Sequence, residues 1–282
     1  MIMRNFIYIF IITNLIINPM NAKSKIEPSN YKDLVDLFKM WRDFENPPLM
    51  NGAPDYTQRR FTAAADEFNS LQSKLDRIDT ADWPKYHQTD WHIVRAEMNG
   101  YDFNQRVLKP WARDPAFYQT IWMYESDVPA HEGPTNHGTL EFWEYEFPLD
   151  NESAKMLADQ FDMIPNFLFQ AKGNLTGDAR DLWIAGIENF KEQADNINKI
   201  KTKIKSHHGN RLDRVLKKPI ERAIDANDNF IHWLNEKSPS KKGPSGIGKD
   251  NYSWYQKNVH LVPLSWDEEV SLLKRELDRA WS

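Results

Sequence analysis

The sequence predicts a mostly α-helical fold, a multi-helix array of long antiparallel helices. Apolar residues recur three and four positions apart in successive segments, which is the spacing of one helix face. Short stretches rich in Pro, Gly, Ser and Asn separate these segments, as expected of connections between helices. Only residues near 139–148 partly alternate, so we expect at most a short β or extended segment there.

The first residues, 1–22, have the pattern of a secretory signal peptide. Arg4 precedes an apolar run over residues 6–17, and Ala22 provides a cleavage site. The run is short for a membrane span, and an uncleaved N-terminal anchor is the alternative interpretation. We therefore expect a periplasmic or secreted protein with no stable membrane span after signal cleavage, in which residues 23–282 form a single helical domain.

Composition excludes several classes of function. The chain has no cysteine, which rules out disulfides, a lipoprotein anchor, a thiol nucleophile and Cys-ligated zinc. The formal net charge of −5 comes without a basic patch, so we expect no binding to nucleic acid. Aromatic residues make up 13% of the chain, enough to fill a helical core or to line a groove for peptide side chains or sugar rings.

Apolar stripes predict three helices in the N-terminal part. The first follows Ser29 or Asn30 as its cap, and a Pro-rich linker over residues 47–54 separates it from the second. The third opens near Pro84 and runs to about residue 108. Its inner face also carries three polar residues seven positions apart, which therefore share one stripe: Asp90, Glu97 and Asn104.

The middle of the chain predicts a turn, an irregular stretch and then longer helices. Asp114 caps a short helix that begins at Pro115, and residues 126–138 are irregular. Helices are expected at about residues 153–164, 165–172, 178–205 and 210–236, the last with a kink at Pro219. We expect residues 238–248 to form a flexible polar loop, and His207 and His208 to lie in a solvated loop.

The last segment predicts a helix with an unpartnered apolar face. Ser265 and Glu268 form a capping box, and an apolar stripe follows at helical spacing: Val270, Leu273, Leu277 and Trp281. The sequence ends directly after this stripe, so we expect the chain to be the N-terminal half of a larger domain. The alternative is a terminal helix that docks on the domain. If the chain is a half, this stripe stays exposed, and residues 266–281 mediate self-association or bind the missing half.

A metal site is the first chemistry to consider. His131, Glu132, His137 and Glu141 are ligand types that zinc accepts. A zincin requires His-Glu-x-x-His on one helix, whereas these histidines are six positions apart and Gly133 and Pro134 interrupt the helix. We therefore expect no stoichiometric zinc and no cofactor in this chain.

Paired carboxylates are the second candidate chemistry, because acid and base catalysis requires two of them close together. Asp90 with Glu97 is one such set, and Glu141, Glu144 and Glu146 form another. Pairing of Asp90 or Glu97 with a nearby arginine is the more common outcome. An independent hydrolase that uses the second set is the most distant alternative.

Five ordered blocks of sequence resemble a large bacterial family, the domain-of-unknown-function family 885. The blocks are residues 90–98 (DWHIVRAEM), 110–118 (PWARDPAFY), 127–134 (DVPAHEGP), 174–183 (NLTGDARDLW) and 245–263 (SGIGKDNYSWYQKNVHLVP). The resemblance extends from about residue 30 to the last residue. It implies a helical, exported protein similar to gluzincin-like zinc metallopeptidases, with the chemistry in a C-terminal half.

This chain departs from the family pattern in one respect. The resemblance implies a zinc motif, His-Glu-x-x-x-Gly-His, and no position here matches it. No metal ligand or catalytic residue is therefore carried over, and we predict no catalysis by this chain alone. The resemblance instead implies a substrate cleft for a peptide-like ligand, with these lining residues: Asp90, Arg95, Glu97, Tyr101, Trp111, Arg113, His131 and Tyr255. The alternative is a stand-alone periplasmic module that binds a peptide or a sugar.

Overall fold

The computed structural model describes residues 30–125 and 136–282, and it is mostly helical, which confirms the predicted fold class. The α-helices in this part of the chain are α1 (Tyr31–Glu45), α2 (Gln58–Asp76), α3 (Lys85–Phe103), α4 (Pro110–Arg113), α5 (Asn151–Asn174), α6 (Arg180–His208), α7 (Asp213–Lys237), α8 (Lys249–Asn258) and α9 (Trp266–Trp281). The signal-peptide prediction for residues 1–22 lies outside the described residues.

Two short sheets accompany the helices. Strand β3 (Ile121–Trp122) pairs in parallel with β4 (Leu140–Glu141). Of the two, only β4 lies in the region near 139–148 where the sequence allows a β segment. Strand β1 (Leu49–Met50) pairs antiparallel with β2 (Ala53–Pro54), inside the stretch expected to be a plain linker. Asn51 and Gly52 both have positive φ, 53° and 83°, which is the backbone of a two-residue hairpin turn. The described residues therefore contain one more short β structure, the β1–β2 hairpin, than the sequence predicted.

Helices α1, α2 and α3 form the first hydrophobic cluster. Trp41 of α1 is fully buried at its centre, with ring centroids 5.6 Å from Phe44, 5.9 Å from Phe68 and 5.4 Å from Tyr101. These rings come from all three helices, so one tryptophan joins them. Burial of an aromatic ring of this size makes a large contribution to the hydrophobic stabilisation of such a cluster.

Helices α5, α6 and α7 form the second cluster, which includes Phe161, Phe190 and Phe230 with no exposed surface. A buried polar network runs through it. Gln193 accepts a hydrogen bond from the Thr120 N–H (2.7 Å) and donates one to Asn227 Oδ1 (3.0 Å). Because buried amides are costly unless they are paired, this network fixes the segment around β3 against α6 and α7.

Two prolines lie inside helices rather than at their ends. Pro165 is within α5, which runs without a break where the sequence suggested two helices, and Pro219 is within α7. His207 and His208 are the last residues of α6 and not part of a loop. His208 Nε2 accepts a hydrogen bond from the Leu149 N–H at 2.9 Å, so the packing of this segment carries the helix beyond its predicted end.

The polar loop over residues 238–248 is anchored, which differs from the flexible linker expected. Lys241 donates to the Gly177 carbonyl oxygen (2.8 Å), and Arg113 donates to the carbonyl oxygens of Pro244 and Ser245 (3.1 Å each). Composition predicts flexibility because polar loop residues bury little apolar surface. Here hydrogen bonds join the loop to Arg113 at the end of α4 and to the segment between α5 and α6.

Helix α9 packs mainly against α8. Its capping box is confirmed, since Ser265 Oγ accepts from the Glu268 N–H and the Ser265 N–H donates to the Glu268 carboxylate. Beyond the first turns, Leu273, Leu277 and Trp281 are 60%, 57% and 84% exposed, whereas Val270 is partly covered. The predicted exposure of the stripe is thus confirmed at three of its four positions. Among the described helices, none combines the length and apolar character that crossing a membrane requires.

Candidate functional site

A cavity of about 650 Å³ lies between the first helical cluster, the second cluster and the segment after α8. Its lining comes from the end of α1, the start of α2, the C-terminal half of α3, α4 and residues 255–262. These segments are far apart in sequence, so only the folded chain brings them together. The volume falls in the range typical of sites for small molecules.

Helix α3 and the residues after it form one long wall. Glu97 of this wall accepts a hydrogen bond from Arg42 of α1 at 2.5 Å, and Arg42 also contacts Glu45 at 2.5 Å. All three side chains are mostly shielded from water, so this ion pair ties α1 to α3 at the cavity edge. Residues Asn104–Leu108 continue the wall as a π-helical turn, a geometry that is often found at functional sites.

Helix α8 covers the opposite side. Phe103 stacks on Trp254 with ring centroids 5.5 Å apart and also contacts Tyr255 at 4.9 Å. Asn99 donates a hydrogen bond to the Asn258 carbonyl oxygen (3.0 Å). Through these contacts α3 positions α8, and the residues that follow α8 reach the cavity: Val259, His260, Leu261 and Val262.

Aromatic rings and a buried hydrogen-bond network form the floor. The Trp111 ring lies 4.0 Å from that of Phe61, and the Trp111 carbonyl accepts from the Tyr118 hydroxyl (2.8 Å). The Tyr56 hydroxyl accepts from the His137 backbone N–H and lies 2.8 Å from His137 Nδ1. Burial raises the pKa of Tyr56, so this phenol remains protonated and acts as a fixed hydrogen-bonding group.

One cation lines this cavity with no ion pair among the residues that the structure describes. Arg60 lies in the first turn of α2, where Thr57 caps the helix by accepting from the Arg60 N–H (3.3 Å). Its guanidinium lies over the Phe44 ring, 5.8 Å from the centroid. Burial raises the pKa of the neighbouring Tyr101 to about 12, and the Arg60 charge opposes that rise, which places the cation close to the phenol.

A buried acceptor lies in the same cavity. The side-chain oxygen of Asn104, Oδ1, is removed from solvent and has no hydrogen-bond partner in the described part of the chain. Leaving such an atom unpaired costs about 1–3 kcal/mol. The Asp55 carboxylate also lines the cavity, but its Oδ1 already accepts from the N–H and the hydroxyl of Thr57 (2.9 and 2.7 Å).

The structure brings together half of the residues predicted to line a cleft: Glu97, Tyr101, Trp111 and Tyr255 all line this cavity. Three others lie elsewhere. Asp90 accepts from the Tyr31 hydroxyl (2.7 Å), Arg95 lies over the Trp91 ring (5.2 Å), and Arg113 holds the 238–248 loop. His131 lies outside the described residues.

Sequence reasoning missed Arg60 and Tyr56, and it considered His137 only as a metal ligand. Arg59 and Arg60 are adjacent on an amphipathic helix, and a sequence does not show which of two arginines faces a neighbouring helix. Asn104 was placed on the same stripe as Asp90 and Glu97, but the stripe does not hold. Glu97 and Asn104 both line the cavity, whereas Asp90, nearer the start of α3, accepts from the Tyr31 hydroxyl instead.

Of the four candidate zinc ligands, His131 and Glu132 lie outside the described residues, and His137 contacts Tyr56. Within residues 30–125 and 136–282, no three His, Cys, Asp or Glu side chains are grouped so that they could hold a metal ion. The described residues therefore do not fit the zinc site that the family resemblance implies. Glu141 and Glu144 are close enough to interact; partial burial and then the Glu144 charge raise the pKa of the Glu141 carboxyl. They do not line the cavity.

Comparison with known proteins adds no assignment. No family model matches this chain, and no match was found among curated proteins or among solved structures.

Proposed function

We propose that this chain is an exported helical protein that binds a short peptide-like ligand in the cavity between α1, α3, α4 and α8. In this proposal the chain acts as the substrate-cleft part of a peptidase-like protein, and its role is binding. The observation that carries the proposal is the convergence of Arg60 and Asn104 Oδ1 in one cavity with aromatic walls. Among residues 30–125 and 136–282, Arg60 has no ion pair and the buried Asn104 Oδ1 has no hydrogen-bond partner.

The chemistry of the walls supports a peptide more than a sugar. A peptide offers apolar side chains for the rings of Phe61, Tyr101 and Trp111, and N–H groups for buried acceptors. Its charged ends match the mixed charges of the lining, which are Arg60 on one side and Glu97 with Glu45 on another. Sugar rings also stack on aromatic faces, so a stand-alone sugar-binding module is the second candidate.

The test is isothermal titration of the purified chain with the tripeptide alanyl-phenylalanyl-alanine and, separately, with maltotriose. We expect saturable binding of the tripeptide and none of maltotriose. Binding of maltotriose alone supports the sugar-binding candidate and overturns the peptide proposal. The absence of binding by either compound also overturns the peptide proposal.

Two matched variants locate the binding site. Ile93 lines the cavity and is 46% exposed, whereas Ile184 on α6 is 43% exposed and lies away from it. A tryptophan in place of Ile93 narrows the cavity, so Ile93→Trp weakens tripeptide binding and Ile184→Trp leaves it unchanged. Equal affinity of both variants means that the peptide binds elsewhere.

Export is the remaining part of the proposal and rests on the signal-peptide pattern of residues 1–22. Expression of the full chain with a C-terminal tag in a Gram-negative host, followed by osmotic shock and N-terminal sequencing, tests it. We expect a periplasmic product that begins at residue 23. An intact N-terminus in the membrane fraction favours the uncleaved anchor.

A further inference from the structure

Two polar side chains of different chemistry, Arg60 and Asn104, line the cavity from different structural elements. Arg60 enters from the start of α2, next to Tyr101 and the Phe44 ring. Asn104 lines the cavity from the π-helical turn after α3, and its Oδ1 is buried without a hydrogen-bond partner in the described part of the chain. An arginine binds a carboxylate through two parallel hydrogen bonds, and an amide oxygen only accepts hydrogen bonds. The two side chains therefore require opposite groups of a ligand.

We propose that the cavity recognises the free C-terminal carboxylate of a short peptide through Arg60, while Asn104 Oδ1 accepts a hydrogen bond from an N–H group of the same ligand. This inference rests on the proposed function, because it names the end of the peptide that the cavity binds. It adds two specificity-determining residues to a site that the proposed function defines only by its walls.

The environment of Arg60 favours this role. The two other arginines near the cavity are already engaged: Arg42 contacts Glu45 and Glu97, and Arg113 is bonded to three backbone carbonyls. Arg60 contacts a ring face instead, and a guanidinium over an aromatic ring keeps its N–H groups available at the ring edge. The adjacent Tyr101 is largely removed from water, so the surroundings of Arg60 on this side have a low dielectric constant. A charge-assisted hydrogen bond from Arg60 to a ligand is stronger in such surroundings.

The acidic residues that line the cavity are engaged by groups other than Arg60. Glu97 and Glu45 both contact Arg42, and two donors of Thr57 hold Asp55. Two of these three carboxylates thus share one cation, Arg42, and the third accepts hydrogen bonds. Arg60 has no such partner among the described residues, so a ligand carboxylate supplies the anionic partner that this guanidinium lacks.

The experiment compares two forms of one probe, alanyl-phenylalanyl-alanine with a free C-terminal carboxylate and the same peptide with a C-terminal amide. We expect the free acid to bind the wild-type chain about tenfold or more tightly, the size of effect seen for hydrogen bonds to charged groups. If both forms bind equally, this inference fails and the proposed function stands. If neither binds, the proposed function fails and this inference fails with it.

Variants assign the preference to the two residues. Arg60→Gln removes the charge and reduces the affinity for the acid to that for the amide, while Arg59→Gln, at the exposed neighbouring position, keeps the full preference. If Arg60→Gln weakens both forms by the same factor, Arg60 is only structural and the inference is wrong.

Asn104→Leu separates binding from folding. Removal of an unpaired buried oxygen stabilises the chain or leaves its stability unchanged, whereas loss of an acceptor for the ligand weakens binding of both peptide forms. We expect a melting temperature at or above that of the wild type together with an affinity reduced about fivefold or more. Unchanged affinity in this variant removes Asn104 from the proposal.

Discussion

Gly243 lies against Asp178 so closely that no β-carbon fits between its α-carbon and the Asp178 carbonyl oxygen. The Asp178 carboxylate accepts from the Lys242 N–H (2.5 Å), and the Gly243 carbonyl accepts from the Arg180 N–H (3.2 Å). Hydrogen bonds from the backbone N–H groups of Gly243 and Lys242 lower the pKa of the Asp178 carboxyl. The loop before α8 is therefore fixed to the start of α6.

The first prediction concerns this contact. Gly243→Ala forces the loop away from Asp178 and lowers the free energy of unfolding by about 1–3 kcal/mol, the usual cost of overpacking. Gly246→Ala is the control within the same loop, because a β-carbon there meets no atom within 4 Å. Urea denaturation of both variants measures the difference, and equal stability of the two contradicts the close approach.

The second prediction concerns the ion pair between α1 and α3. Arg42→Met leaves Glu97 and Glu45, which are 20% and 23% exposed, without their guanidinium partner. We expect the free energy of unfolding to fall by about 1–3 kcal/mol. Lys32→Met on the same helix breaks the exposed pair with Asp36 and changes the stability by less than about 0.5 kcal/mol. Thermal unfolding of both variants tests this, and similar losses contradict the buried role of Arg42.

The third prediction concerns alkaline pH. Burial raises the pKa of Tyr101 to about 12, above the value near 10 expected in the unfolded chain. Its contribution to stability is therefore complete below pH 10 and is lost as the pH rises toward 12, because only the unfolded phenol ionises. Tyr101→Phe makes unfolding less sensitive to pH between 10 and 12.

Tyr124→Phe is the control for the alkaline experiment, because Tyr124 is 83% exposed. We expect this variant to keep the pH dependence of the wild type in denaturation measured at pH 9, 10 and 11. The buried phenols of Tyr56 and Tyr118, whose pKa values burial also raises, remain in both variants and titrate alike. The prediction is refuted if the free energy of unfolding changes with pH by the same amount in Tyr101→Phe and Tyr124→Phe.

The fourth prediction concerns the exposed stripe of α9. Leu277 is 57% exposed, so Leu277→Ala changes the free energy of unfolding by less than about 0.5 kcal/mol. Leu234 on α7 is fully buried, and Leu234→Ala costs about 2–5 kcal/mol. Comparable losses in the two variants show that another surface covers Leu277. The self-association predicted from sequence stays a prediction, which sedimentation velocity over a range of concentrations checks.

The helical class and the helix starts followed from local chemistry. Ser265 and Glu268 form the predicted capping box, and Asp114 caps the short helix that begins at Pro115, because both caps involve residues within three positions of each other. The Asn51-Gly52 hairpin was available from sequence by the same logic, since Asn-Gly favours a two-residue turn with positive φ. The prolines on both sides of it indicate a linker, and this signal hides the hairpin.

Contacts between residues that are distant in sequence determine which side chains line the cavity. The family resemblance proposed Glu97, Tyr101, Trp111 and Tyr255 as candidates, but nothing in the sequence gave a reason to add Arg60 or to remove Asp90 and Arg113. Which way a polar side chain faces depends on the crossing of helices and on the change to π geometry at Asn104. Neither is encoded in a window of a few residues.

By itself, the sequence determined the helical class, the absence of cysteine chemistry, the capping of α9 and the apolar stripe that α9 carries, since each depends on residue type and short-range spacing. Tertiary structure alone decided that α8 closes a cavity against α3, that Arg42 contacts Glu97, and that Arg60 faces inward without an ion pair among the described residues. The physical reason is that these contacts join residues of different helices, from 16 positions apart for Phe44 and Arg60 to 159 for Asn99 and Asn258, and their free energy exists only after the helices have packed.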